Sequence, residues 1–125
     1  MAKKVLKVGI MPYREMKART LAIARGQYKP RPDEPKVWFA SLKSLASVLS
    51  EQNQALLQTI REHNPESIAE LEEITGRAAS NLTRTLHTLE HYGLVELKPA
   101  EPRAGGRAPL KPVVLADALD LELSF

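Results

Sequence analysis

The sequence has no cysteine, which excludes disulfides and every thiolate metal site. Aromatic residues are scarce: one Trp, three Tyr and two Phe. The adjacent Trp38 and Phe39 are therefore expected to act as core or interface anchors. No apolar run approaches the ~18 residues that a membrane span requires. The opening M-A-K-K-V-L-K-V-G-I lacks a long apolar centre and a small-residue cleavage site, so it does not read as a signal peptide. These absences agree with an expected cytoplasmic location. At 125 residues, 43% hydrophobic and 26% charged, the chain has an ordinary globular balance. Its length suits one domain with a real core and room for a small second lobe.

The net charge of +3 conceals a strong asymmetry. Residues 1–43 carry eleven Lys/Arg against three Asp/Glu, a net of +8, whereas residues 44–125 carry seven against twelve, a net of −5. Within the second part, residues 44–75 are acidic (−5) and residues 76–112 are basic (+3). Segregated basic segments favour a polyanionic partner.

Residues 5–10 read as a short strand, and residues 13–24 as a helix entered through Pro12 and ended at Gly26. Three prolines between Pro30 and Pro35 mark an extended arm. Residues 37–40 read as a brief strand. Ser41 then caps a helix bearing Leu42, Leu45, Ala46 and Leu49, and Ser50 opens another bearing Leu56, Leu57 and Ile60. Ser67 and Glu70 have the spacing of a capping box, ahead of a short helix with Ile68, Leu71 and Ile74 buried. Gly76 breaks that helix. A longer helix over about 78–92 ends at Gly93. Leu94 to Leu97 and Leu110 to Leu115 read as a hairpin with a basic, glycine-rich tip. In the tail, Leu119, Leu121 and Leu123 alternate with polar residues, as in a half-buried strand.

A short helix, a glycine turn, a longer helix and a hairpin make the order in which a helix-turn-helix presents its second helix to the major groove. At about 100° per residue, Leu82, Leu86 and Leu89 fall within about 60° of one another. Arg77, Ser80, Arg84, His87 and His91 lie opposite, with Asn81 and Thr83 towards the edges. Arginine can fork onto guanine and asparagine can pair with adenine, so Arg84 and Asn81 are the leading candidate readers. Arg103 and Arg107, at the hairpin tip, suit the DNA backbone or minor groove.

The T-G-R turn, the helix S-N-L-T-R-T-L-H-T-L-E-H-Y-G-L-V and the hairpin after it resemble winged helix-turn-helix regulators of the broad MarR-like kind, over roughly residues 42–115. The whole chain, including M-K-A-R-T-L-A-I-A-R-G and K-V-W-F-A-S-L-K-S-L, is similar to short prokaryotic DNA-binding proteins often found beside a small toxin gene and regarded as antitoxins. The resemblance implies an α+β winged helix-turn-helix with an N-terminal strand–helix extension, acting on double-stranded DNA. It gives Arg77, Ser80, Asn81, Thr83 and Arg84 the base-reading and phosphate-contacting positions. MarR-like proteins dimerise through long terminal helices; residues 1–40 carry a strand, a helix and a proline-rich arm instead, and together with the leucine-rich tail are expected to form a dimer or partner surface. Residues 41–115 would be the DNA-binding domain, and residues 116–125 a closing strand.

Other classes fare worse. His87 and His91 share a helical face, but no third ligand is identifiable and the order is not H-E-x-x-H, so no metal, cofactor or enzymatic role is expected. The basic residues 1–40 could instead wrap an acidic partner such as a toxin, with the helix-turn-helix as scaffold and the proline-rich arm ordering on binding.

Overall fold

The computed structural model describes residues 4–99 and 109–125. Along the chain run β1 (Val5–Ile10), α1 (Tyr13–Ala24), β2 (Val37–Phe39), α2 (Leu42–Val48), α3 (Glu51–His63), α4 (Ile68–Thr75), α5 (Ala79–His91), β3 (Val95–Pro99), β4 (Leu110–Val114) and β5 (Ala118–Glu122). The class is α+β, a winged-helix arrangement preceded by a strand–helix extension.

Serine hydroxyls start three consecutive helices. Ser41 accepts the Ser44 amide at 3.0 Å, Ser50 that of Asn53 at 3.2 Å, and Ser67 that of Glu70 at 3.1 Å. Each satisfies a first-turn donor that has no partner within the helix. The expected capping box closes one residue early: the Glu70 carboxylate accepts from the Glu66 amide at 3.1 Å, rather than from that of Ser67.

Two sheets organise the molecule. β3 and β4 form an antiparallel hairpin in register from Val95 opposite Val114 to Pro99 opposite Leu110. β1 lies at the centre of a second, wholly parallel sheet of order β2-β1-β5. The last strand thus pairs with β1, joining residues 4–40 and 116–125 in one structural unit. Lys4 and Asp117 lock that junction: the Lys4 amide donates to Asp117 Oδ2 at 2.8 Å, and the Asp117 amide to the Lys4 carbonyl at 2.7 Å.

The main core gathers Leu56 and Ile60 of α3, Leu71 of α4, Leu82, Leu86 and Leu89 of α5, and Leu94 and Val95. A second cluster of Val8, Phe39 and Leu45 seats the parallel sheet on these helices, and Leu6, Tyr92 and Leu119 pack against both. The Phe39 and Tyr92 rings stack with centroids 4.2 Å apart, so the sheet meets the C-terminal end of α5. Trp38 is only half-buried. It lies across Gly9, where any Cβ would collide with the indole ring.

Three expectations need correction. Of the stripe expected to be buried in α4, only Leu71 is; Ile68 is half-buried and Ile74 exposed. The proline-rich segment is not a free arm: Glu34 and Pro35 are buried, and Arg19 of α1 pairs with Glu34 at 2.8 Å while lying over the Trp38 ring. The tail strand is only partly covered: Leu119 is half-buried, whereas Leu121 and Leu123 are exposed. No helix among the described residues is long and apolar enough to cross a membrane.

Candidate nucleic-acid interface

The presentation of α5 begins in the turn before it. Thr75 Oγ1 donates to the Leu71 carbonyl at 2.9 Å and accepts the Arg77 amide at 3.2 Å. Gly76 then takes φ +76°, a conformation that L side chains rarely adopt. A Cβ there would meet nothing within 4 Å, so the glycine is needed for its dihedral and not for space. Ala78 occupies the N-cap position and has no side-chain acceptor. Glu72 supplies one from α4: its Oε2 accepts the Ala79 amide at 2.6 Å. A carboxylate at a helix N-terminus satisfies a stray donor and also complements the helix dipole.

Leu82, Leu86 and Leu89 are fully buried, which fixes the rotation of α5. Ser80, Asn81, Arg84, His87 and His91 are consequently exposed on the other side. The helix is slightly shorter at both ends than the periodicity suggests, Ala79–His91. Arg84 has no ion-pair partner among the described residues, and its guanidinium projects from an exposed position.

Two expected readers are half-buried instead. Thr83 donates its hydroxyl to the Ala79 carbonyl at 2.8 Å, so that group is committed to the helix backbone. Arg77 reaches along α5, donating to Asn81 Oδ1 from Nε at 3.0 Å and from Nη2 at 2.7 Å, and from Nη2 to Thr85 Oγ1 at 3.2 Å. A carboxamide oxygen has two lone pairs, and both are used here. Asn81 can therefore fork onto an adenine edge only if Arg77 releases it.

At the other end, Glu90 ties α5 to the hairpin, its Oε2 accepting the Leu97 amide at 3.1 Å. His87 Nδ1 lies 3.6 Å from the other oxygen of Glu90. The hairpin is also anchored by Lys111, one rung from the tip end of its ladder, which pairs with Glu66 at 2.9 Å. Lys98 stands directly opposite Lys111 in the ladder and is exposed. It adds a wing cation that the sequence reading did not single out. Arg103 and Arg107 lie outside the described residues. Among those described, no three His, Asp or Glu side chains converge as a metal site.

Residues 48–121, from the end of α2 to β5, match the model of the HVO_A0114 family. The chain belongs to the HVO_A0114 family. The matched region takes in the whole helix-turn-helix, the hairpin and the edge strand, whereas β1, α1 and β2 precede it. No curated protein and no solved structure matches this HVO_A0114-family chain.

Glu72 and Glu90 are the residues that sequence reasoning missed as supports of the candidate interface. One signal was available: Ala78 cannot cap α5, so the acceptor had to come from elsewhere. Nothing local showed that a residue seven positions earlier would provide it.

Proposed function

We propose that this chain is a sequence-specific double-stranded DNA-binding transcriptional regulator, a repressor acting as a dimer. The carrying observation is the solvent-open stripe of α5, with Ser80, Arg84 and His87 exposed opposite three fully buried leucines. In this reading the N-terminal half of α5 enters the major groove, and Arg84 reads a base edge. Arg77 moves from Asn81 to a phosphate as the groove is engaged, which frees the Asn81 carboxamide for adenine. The hairpin follows the flanking backbone through Lys98 and, at its tip, Arg103 and Arg107. A two-fold dimer would favour half-sites about one helical turn apart, ~34–36 Å. Such a protein works in the cytoplasm, on the DNA of its own cell.

Fluorescence anisotropy tests the reading, with the duplex upstream of the protein's own gene titrated against a random duplex at two salt concentrations. The own-region duplex is expected to bind more tightly, and both affinities to fall steeply with salt. Equal affinity for the two duplexes refutes sequence specificity, and a salt-independent affinity refutes phosphate contacts.

A second reading, an antitoxin that also holds an acidic partner, draws on α1. That helix buries no residue, and Arg14, Lys17 and Arg25 are exposed along one of its sides. Co-expression with the neighbouring gene product, followed by size exclusion, tests it. An unchanged mass removes the antitoxin role and leaves the DNA-binding reading intact.

A further inference from the structure

β5 is an edge of the parallel sheet, and no strand among the described residues pairs with its outer side. An open edge presents unpaired backbone donors and acceptors, which proteins usually cover or blunt. Along this edge the side chains alternate. Leu119 and Leu121 are in register with Leu6 and Val8, which face the helices, while Asp120 and Glu122 are in register with Lys7 and Gly9. Leu121 and Leu123 are each 41% exposed, and Phe125 is fully exposed. Beside the strand lies an open groove of about 530 Å³, lined by Leu49, Leu57, Leu94 and Leu119 together with polar side chains that include the Arg61–Asp117 ion pair. An apolar strip, a groove of mixed lining and an open strand edge therefore adjoin one another.

We infer that β5, continued through Leu123–Phe125, pairs antiparallel with the same segment of a second copy of this chain, joining two three-stranded sheets into one of six strands. The inference deepens the dimeric part of the function proposed above and is independent of DNA binding. With the two-fold at Glu122, Leu121 lies opposite Leu123 of the second copy, Leu119 opposite its Phe125, and Asp120 opposite its Ser124. Directly opposed residues share a face, so each apolar side chain meets an apolar one. Phe125 of the second copy arrives against Leu119, at the mouth of the groove. The exchange is reciprocal, as a closed two-fold contact requires.

Charge and apolar pairing together select this register. Centring the pair on Leu121 would set Asp120 against Glu122 twice, and like charges directly opposed are destabilising. Centring on Leu123 would set Leu121 against Phe125 and give up the contact between Leu119 and Phe125. Centring on Glu122 leaves one acidic contact, at the axis. Lys7, in register with Asp120, adds a compensating cation on the same face.

Light scattering on the full chain without DNA tests the inference, with the expected mass twice the 13.9 kDa of one chain. The double variant Leu121→Lys, Leu123→Lys should halve that mass with far-UV circular dichroism unchanged. The absence of cysteine permits a second measurement that survives a misfolded lysine variant. Mixing the single variants Leu121→Cys and Leu123→Cys under mild oxidation should give the 121–123 disulfide. Each variant alone should cross-link poorly, because same-residue pairs are then diagonal, ~7–8 Å apart. A monomeric wild type, a dimer indifferent to both lysines, or same-residue disulfides without the mixed one would each overturn the proposal. A monomer that still prefers its own upstream DNA refutes this interface alone, whereas a β5-linked dimer without DNA preference refutes the functional reading alone.

Discussion

Helix α5 begins at a residue that cannot cap it, which makes Glu72 a sharp test of how the candidate interface is held. The Glu72→Ala change strands the Ala79 amide and removes an anion from the positive end of α5. Loss of a cap costs ~0.5–2 kcal/mol, and loss of a favourable charge at a helix end ~0.3–1 kcal/mol. Water can reach the first turn, because Ala78 and Ser80 are exposed, so the amide is not left in a dry interior. A total of roughly 1–2 kcal/mol is expected. Ala78 already has extended backbone, φ −60° and ψ 142°, so Ala78→Ser should place a hydroxyl where a cap belongs. That serine should recover most of the loss in the Glu72→Ala background and add little to the wild type. Urea unfolding of the four proteins of the cycle, followed by circular dichroism, measures the coupling. The reasoning fails if Glu72→Ala changes stability by less than ~0.5 kcal/mol, the ordinary range for surface positions. It also fails if Ala78→Ser stabilises both backgrounds equally.

Arg84→Ala should leave the urea midpoint unchanged but weaken binding to the specific duplex by ~1–3 kcal/mol, read by anisotropy; undiminished affinity would remove Arg84 from the reading set. Gly9→Ala places a methyl 2.7 Å from Trp38 Cε3 and 3.0 Å from Pro35 Cγ. It should cost ~1–3 kcal/mol through overpacking and shift the Trp38 fluorescence, and an unchanged melting temperature and spectrum would contradict the close approach. Leu86→Ala, at a fully buried position, should cost ~2–5 kcal/mol, and a smaller loss in urea unfolding would show that the site collapses around the gap.

Local chemistry was readable wherever a short stretch carries its own signal. Ser41, Ser50 and Ser67 cap the helices they precede, Gly76 takes the positive φ that the turn needs, and the leucine spacing in α5 matches its buried side. Long-range pairing was not readable. The alternation of Leu119, Leu121 and Leu123 shows a strand, but not that its neighbour is β1 or how little of it is covered. The prolines suggested an extended arm because nothing nearby in sequence announces the Arg19–Glu34 pair between α1 and the segment before β2. Likewise, the polar stripe of α5 could be drawn on a wheel, yet the wheel does not reveal that Arg77 holds Asn81. Periodicity fixes which way a side chain points, whereas its partner depends on tertiary geometry.

The central place of β1 bears on how the polypeptide is made. Its two neighbours reach it at very different times during synthesis: β2 soon after, and β5 only once residues 118–122 have left the ribosome. Until then one flank of β1 is bare while the leucine-rich helices are already free to condense. Contacts between segments so distant in the chain form slowly, so the sheet should be the last part to consolidate. A nascent chain arrested before Ala118 should be more prone to aggregation than the finished one.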